Sequence, residues 1–237
     1  MRTETFQTPE PPKIRIAVPS GSIHVDTDDV TETTVEVVGP NEDDMKIELH
    51  RNDLVIEATK KSLFGSRGSH EIRVVAPHRS ELDANVASAD VEGRGTFGEV
   101  EINSASGDVS LDWIDGRLHV NTASGDVDVR HVQADTRINS ASGDVRLAEA
   151  EGDVRVRTAS GDVELLSVVR GKVEVQSASG DVMVGIRQGS SVYIDASSMS
   201  GDMSSELEVS DASPVSDGPS VDFRARTMSG DVVIRRA

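Results

Sequence analysis

The stretch "NTASGDVDVR", from Asn121 to Arg130, recurs with small changes along the chain and decides the fold. Its Ser-Gly-Asp element ends at Asp108, Asp126, Asp144, Asp162, Asp181, Asp202 and Asp231, with a related Ser-Ala-Asp at Asp90. The intervals between these aspartates are 18, 18, 18, 18, 19, 21 and 29 residues. A fixed period of this kind is typical of a stacked repeat array.

Each 18-residue unit divides into two similar halves of nine residues, such as "GDVDVRHVQ" and "ADTRINSAS". Apolar residues two apart predict one short strand per half, and a small residue three positions later, such as Ala123 or Ala159, is expected to enter the core. A helical period of 3.6 cannot place these residues on one side. The pattern therefore predicts an all-β fold, a single-stranded parallel β-solenoid (β-helix) with about 18 residues per coil, successive coils stacking as parallel strands. Crossover chirality favours right-handed winding.

The regularity of the repeat divides the chain into three parts. Residues 89–237 are expected to form the regular solenoid, with an insertion loop at about 203–220 where the interval before Asp231 lengthens. Residues 13–88 alternate like strands and predict degenerate N-terminal β coils or a cap, with a separate small β-sandwich as the alternative. A loop is expected at Gly65–Ser69, and residues 1–12 are expected to be a flexible N-terminal segment.

In a stacked array, residues one repeat apart lie above one another and form a column. The aspartates form a column of like charges, and their mutual repulsion must be offset by other interactions. We expect the glycine of each corner to adopt a positive φ, and each aspartate to accept backbone N–H groups and the hydroxyl of the serine two positions earlier. The residues of this structural turn ladder are Gly107, Asp108, Gly125, Asp126, Gly143, Asp144, Gly161, Asp162, Gly180 and Asp181. Further ladder hydrogen bonds are expected in columns of Asn (Asn103, Asn121, Asn139) and of Ser and Thr (Ser104, Thr122, Ser140, Thr158, Ser177).

A calcium site is the functional alternative for the aspartate column, because stacked carboxylates offer the hard oxygen ligands that calcium prefers. The candidate ligands are Asp108, Asp126, Asp144 and Asp162. The turn has a single glycine before the aspartate, however, and lacks the paired glycines of the calcium-binding nonapeptide of toxin repeats. The structural interpretation is therefore preferred, and no cofactor is expected.

The formal net charge of −18 disfavours nucleic acid, because phosphate binding depends on Lys and Arg. No run of about 18 apolar residues occurs, so membrane insertion is not expected. The opening residues lack the apolar stretch of a signal peptide, and we expect a cytoplasmic location with the cell envelope as the alternative.

Catalytic signatures are missing from the sequence: there is no His-Glu-x-x-His, no Gly-x-Ser-x-Gly and no phosphate-binding Gly-rich loop. A serine that recurs in every coil cannot be one activated nucleophile. The six histidines, His131 among them, are scattered and expected to be solvated. We therefore expect no enzyme activity. Trp113 is expected to be exposed on the rod and is the best candidate for a partner contact.

The Ser-Ala-Ser-Gly-Asp-Val units, preceded by "IAVPSGSIHV" and "IRVVAPHRSELDANVASADVEG", resemble a bacterial β-strand-repeat family of unknown function labelled "putative adhesin". The resemblance extends from about Lys13 onward. It implies a β-helical adhesion or envelope-associated module.

Three hypotheses about function follow. The favoured one is a non-catalytic binding or scaffold module that holds an unknown protein or cell-surface partner. The second is a self-assembling structural protein, because the open edge of a solenoid can pair end to end; otherwise the chain is a monomer. The third is a glycan-acting β-helix enzyme, which requires a groove with two carboxylates about 5 to 10 Å apart.

Overall fold

The computed structural model describes residues 1–39, 45–59, 70–207 and 218–237. In these residues 21 strands form one continuous sheet, and no helix is present. The strands are β1 (Arg2–Gln7), β2 (Lys13–Asp28), β3 (Glu32–Val38), β4 (Met45–His50), β5 (Asp53–Ala58), β6 (His70–Pro77), β7 (Glu81–Phe97), β8 (Val100–Ser106), β9 (Val109–Ile114), β10 (Leu118–Ser124) and β11 (Val127–Val132). They continue as β12 (Thr136–Ser142), β13 (Val145–Ala150), β14 (Val154–Ser160), β15 (Val163–Val168), β16 (Gly171–Ser179), β17 (Val182–Ile186), β18 (Ser191–Ser200), β19 (Met203–Ser205), β20 (Ser220–Ser229) and β21 (Val232–Arg236).

The central part of the chain alternates between two parallel ladders. Strands β8, β10, β12, β14 and β16 pair in that order in one ladder, and β9, β11, β13, β15 and β17 pair in the other. Stacked partners such as Asn103 and Asn121 are 18 positions apart in the sequence. The protein is therefore a parallel β-solenoid, as the repeat predicts, and its direction of winding stays a prediction.

The core is a continuous column of Val, Leu and Ile side chains between the two ladders. In β10 the buried residues are Leu118, Val120 and Thr122, because strand alternation continues to the end of the strand. The expectation that Ala123 and Ala159 enter the core was wrong. Both alanines are exposed, because each follows an inward-facing threonine at the next strand position.

The N-terminal residues continue the same sheet and add antiparallel strands to it. Strand β2 pairs in parallel with β7 on one side and with β5 and β6 on the other. Strand β1 pairs antiparallel with β3, β3 with β6, and β4 with β5. The N-terminal residues were expected to be flexible, but Arg2–Gln7 form strand β1, because they pair with β3 and Phe6 packs against the core. The loop expected at Gly65–Ser69 lies outside the described residues.

The last two coils do not stack in chain order. The C-terminal strand β20 lies between β16 and β18, and β21 lies between β17 and β19. The coil formed by β18 and β19 is therefore the outermost one, although it precedes the coil formed by β20 and β21 in the sequence. An insertion loop was expected at 203–220. Its first residues, Met203–Ser205, instead form strand β19, because they pair with β21. Residues 208–217 lie outside the described residues.

Candidate functional site

The Ser-Gly-Asp corner is held by a backbone conformation that only glycine tolerates. Gly125 and Gly143 have φ values of 118° and 116°, which confirms the positive φ expected from the sequence. A Cβ atom on Gly143 would lie 2.2 Å from the carbonyl oxygen of Gly125 in the preceding coil. Conformation and close approach therefore both require glycine. The other corner glycines of the ladder, Gly107, Gly161 and Gly180, also have positive φ.

Each corner aspartate connects one coil to the next. The backbone N–H of Asp126 donates to Oδ1 of Asp108 at 2.9 Å, and the N–H of Asp144 donates to Oδ1 of Asp126 at 2.8 Å. The same bond joins Asp162 to Asp144, and Asp181 to Asp162. The serine hydroxyl that we expected to share this role makes no such bond in the described residues. The donated backbone N–H groups therefore compensate the stacked charges of the carboxylates.

The calcium candidates Asp108, Asp126, Asp144 and Asp162 are all members of this row. In each of them Oδ1 already accepts a backbone N–H from the next coil. The ladder explains why the aspartates recur without invoking an ion. Calcium binding by the second carboxylate oxygens stays a prediction.

The hydroxyl column stabilises the turn locally rather than joining neighbouring coils. Oγ1 of Thr122 donates to the carbonyl oxygen of Ser124 at 2.9 Å. Ser104, Ser140 and Thr158 make the same bond: each hydroxyl donates to the carbonyl oxygen of the residue two positions later. The expectation of ladder bonds was wrong for these four residues, because each hydroxyl donates to a carbonyl of its own turn; among the described residues, the buried Oγ of Ser177 has no hydrogen-bond partner.

The asparagine column forms the ladder that the sequence predicts. Nδ2 of Asn121 donates to Oδ1 of Asn103 at 2.8 Å, and Nδ2 of Asn139 donates to Oδ1 of Asn121 at 2.8 Å. The ladder also includes Asn85, whose Oδ1 accepts from Asn103 at 3.1 Å. Sequence reasoning missed Asn85, although its distance of 18 residues from Asn103 was a usable signal.

A shallow groove of about 900 Å³ follows the asparagine ladder along the rod. Beside the amides runs a row of exposed alanines, and the groove is shallow because these side chains are small. The alanines are Ala87, Ala105, Ala123 and Ala141. As far as the described residues go, no charged side chain lines it. We call this surface the Asn/Ala groove.

Trp113 and His131 stack on each other one coil apart. Their ring centroids are 3.6 Å apart and the ring planes differ by 12°. Trp113 is 45% exposed, as expected, and its Nε1 donates to Asp115 at 2.9 Å. The expectation that His131 is solvated was wrong: it is only 5% exposed, because the indole lies over it. The sequence already indicated this contact, because Trp113 and His131 are one repeat apart and therefore occupy the same column.

Two carboxylates lie at the edge of the buried imidazole. Nδ1 of His131 lies 3.6 Å from Oε2 of Glu149, and Nε2 lies 3.8 Å from Oε1 of Glu151. Both distances exceed those of a hydrogen bond, and neither ring nitrogen has a hydrogen-bond partner. Among the described residues, these three form the one group whose carboxylate and imidazole ligand atoms lie within 4.8 Å of one another.

Surface ion pairs lower the pKa values of three glutamates: Glu48, through a hydrogen bond from His50, and Glu92 and Glu174. A hydrogen bond from Arg155 to Glu174, at 3.0 Å, holds the pKa of this carboxyl below its usual value. Arg94 has the same effect on the pKa of Glu92, with a smaller contribution from His24. The Arg155–Glu174 pair joins two neighbouring coils, whereas Arg94 and Glu92 lie on the same strand.

The chain has the fold of an all-β repeat protein, and it belongs to the Toastrack DUF4097 family, whose model matches residues 12–235. The search of curated proteins gave no match. The described residues contain no helix long and apolar enough to cross a membrane.

Solved structures with the same fold cover nearly the whole chain. A putative adhesin from Parabacteroides merdae is 12% identical with a TM-score of 0.57, and the match covers 98% of this chain and 95% of that one. A putative adhesin from Parabacteroides distasonis is 14% identical with a TM-score of 0.54, covering 98% and 96%. A putative lipid binding protein from P. distasonis is 14% identical with a TM-score of 0.54, covering 100% and 96%. At these identities the likeness concerns the fold.

Proposed function

We propose that the chain is a non-catalytic binding module that holds an extended protein or cell-surface partner in the Asn/Ala groove. The observation that carries this proposal is the groove itself. It is a continuous concave surface that repeats the same amide and methyl groups from one coil to the next.

The groove suits an extended partner for geometric reasons. Parallel strands repeat at about 4.8 Å, so an elongated ligand meets equivalent groups at each coil. The ladder bonds fix the asparagine amides, yet each amide nitrogen keeps a second hydrogen for a ligand. Because the side chains are already ordered, binding requires little loss of side-chain freedom.

The absence of charge in the described lining of the groove indicates which kind of partner the groove can bind. The chain carries a formal net charge of −18, whereas the groove lining is uncharged. A neutral, polar segment is therefore favoured over a strongly acidic one, which the surrounding carboxylates would repel. The names of the structural neighbours, two putative adhesins and a putative lipid binding protein, also favour binding over catalysis. No cofactor is part of this proposal, and the cytoplasmic location stays a prediction that cell fractionation would test.

The test is a comparison of two arginine variants as baits. Ala123→Arg fills the middle of the groove, and Ser110→Arg adds the same side chain to the exposed outer face of β9. Proteins and glycans of the source organism are captured on wild type and on both variants. We expect a partner that wild type and Ser110→Arg retain and Ala123→Arg loses. Equal capture by all three baits, or no capture by wild type, would reject the proposal.

Self-association is a second candidate, supported by the outermost coil. In the described residues β18 pairs with β20 alone, so one row of its backbone N–H and C=O groups has no strand partner. Tyr193, Ile194 and Met203 are exposed on this coil, and Asp195 is the one charged residue of β18. The edge strand β1 at the other end carries Arg2 and Glu4, and charged edges oppose strand pairing. The outermost coil of a second copy is therefore the favoured occupant.

Light scattering over a range of protein concentrations tests this candidate. We expect a dimer that Ile194→Lys dissociates and that Thr5→Lys, on the exposed face of β1, leaves intact. A mass that stays monomeric up to millimolar concentration would exclude self-association through this edge.

A further inference from the structure

We propose that His131, Glu149 and Glu151, grouped around a buried imidazole, form a binding site for one divalent transition-metal cation of the Zn²⁺ type. This site is separate from the Asn/Ala groove, and none of its residues lines that groove.

The first observation is the imidazole. His131 is 5% exposed, and neither of its ring nitrogens has a hydrogen-bond partner. Burying a polar group without a partner is costly, so a native structure normally supplies one. Nδ1 faces Glu149 and Nε2 faces Glu151, and a cation bound to one of these nitrogens and to the carboxylates would give the buried ring a partner.

The second observation is the orientation of the carboxylates. Oε1 of Glu149 accepts from Nη1 of Arg187 at 2.7 Å, while Oε2 faces the imidazole. Oε2 of Glu151 lies 3.9 Å from Nη2 of Arg170, while Oε1 faces the imidazole. Arg187 therefore holds one oxygen of Glu149 by a hydrogen bond and leaves the other directed at His131, while Arg170 lies within ion-pair distance of the outer oxygen of Glu151. Groups that orient metal ligands from behind in this way are typical of metal sites.

The donor set indicates the class of cation. One imidazole nitrogen and two carboxylate oxygens are ligands that suit Zn²⁺, which commonly takes three protein ligands and one water in open sites. Calcium prefers six to eight oxygen ligands, so it suits this group poorly. The three ligand atoms lie within 4.8 Å of one another, and the two glutamates are part-exposed and able to close around an ion.

The stacked indole provides a direct readout of the site. Trp113 is the single tryptophan of the chain, and its ring lies 3.6 Å from that of His131. A cation bound to the imidazole changes the charge next to the indole, so the fluorescence of the whole protein reports this one site. A change in fluorescence therefore reports an event near Trp113, which a change in melting temperature alone does not, and the variants assign this event to the three ligands.

The experiment is a titration of Zn²⁺ into the metal-free 237-residue chain, followed by tryptophan fluorescence and thermal unfolding. We expect a saturable change in fluorescence with one Zn²⁺ per chain. At about 100 times Kd the melting temperature should rise by about 5 °C or more, because the ion binds only the folded state.

Three variants make the result decisive. The double variant Glu149→Gln/Glu151→Gln keeps the imidazole and the ring stack and should lose both responses; His131→Gln should lose them as well. His50→Gln changes an exposed histidine that contacts Glu48 and should keep both responses. No saturable response in wild type would overturn the proposal. Responses in the double variant equal to those of wild type would also overturn it, because Zn²⁺ would then be bound elsewhere.

Discussion

The backbone N–H of Asp144 donates to Oδ1 of Asp126 at 2.8 Å, although the two carboxylates carry the same charge. Repulsion between unit charges one coil apart costs roughly 1 kcal/mol in water. A hydrogen bond to a charged group contributes about 1.5 to 3 kcal/mol, which outweighs this repulsion. The acidic column is therefore a structural feature of the stack, held by its acceptor oxygens.

Two substitutions at Asp126 distinguish the contribution of its hydrogen-bond acceptor from that of its negative charge. We expect Asp126→Asn to change the free energy of unfolding by less than about 0.5 kcal/mol, because the amide oxygen keeps the bond and the repulsion disappears. Asp126→Ala removes the acceptor and should cost about 1 to 2 kcal/mol. Urea unfolding measures both values. If the asparagine variant loses as much as the alanine variant, the carboxylate charge itself is required.

Gly143 should tolerate no side chain. In Gly143→Ala the new Cβ would lie 2.2 Å from the carbonyl oxygen of Gly125, in addition to the strain of a positive φ. We expect a loss of about 3 kcal/mol or more. The matched control is Gly189→Ala, where φ is 87° and nothing lies within 4 Å of the added Cβ. Conformational strain alone should cost about 1 to 2 kcal/mol there. Equal losses in the two variants would contradict the close stacking of corners.

The pair of Glu174 and Arg155 predicts a pH dependence of stability. Because the hydrogen bond from Arg155 lowers the pKa of Glu174 in the folded state, the pair stabilises the fold above the unfolded pKa of about 4.3. This stabilisation is lost as the pH falls through the lower, folded pKa. We expect Glu174→Gln to melt below wild type at pH 7 and to approach it at pH 3.

The control for this measurement is Glu101→Gln, since Glu101 has no ion pair among the described residues. The difference between wild type and Glu101→Gln shows how much of the effect comes from removing a surface carboxylate that has no ion pair. A difference for Glu174→Gln that does not shrink at low pH would show that the ion pair contributes no stability.

The repeat was sufficient to predict the solenoid, the corner glycines and the asparagine ladder, because each depends on spacing alone. Spacing did not distinguish which of Thr122 and Ala123 faces the core. The template favoured the apolar residue, whereas continued strand alternation buries the threonine and leaves the alanine in the groove. The groove was therefore not predicted, although the repeat already contained the asparagines and alanines that form it.

Other features depend on contacts that no repeat position encodes. His131 is buried because the residue one coil earlier happens to be Trp113. The order of the last coils was not predictable, since β18 and β20 carry similar apolar patterns and either could have been outermost. The antiparallel pairing of β1 and β3 likewise follows from tertiary packing, because alternation indicates a strand but not its direction.

The order of the last coils decides which edge the rod exposes. Asp231 donates its N–H to Oδ1 of Asp181, 50 residues earlier in the chain, and Asp202 then donates to Asp231. Five positions before the corner aspartate, Gln176 pairs with Arg226, and Arg226 lies between Gln176 and Ser197. A pair of cysteines tests this order directly, because the chain has none of its own.

The most direct measurement is therefore disulfide formation under mild oxidation, read by mass spectrometry of the folded monomer. Gln176→Cys/Arg226→Cys should form the bond readily, because neighbouring strands lie about 4.8 Å apart. Gln176→Cys/Ser197→Cys should stay reduced, since two strand spacings of about 9.6 Å exceed the reach of a disulfide. The opposite result, with the second pair bonded and the first reduced, would show that the coils stack in chain order and would contradict the fold described for this end.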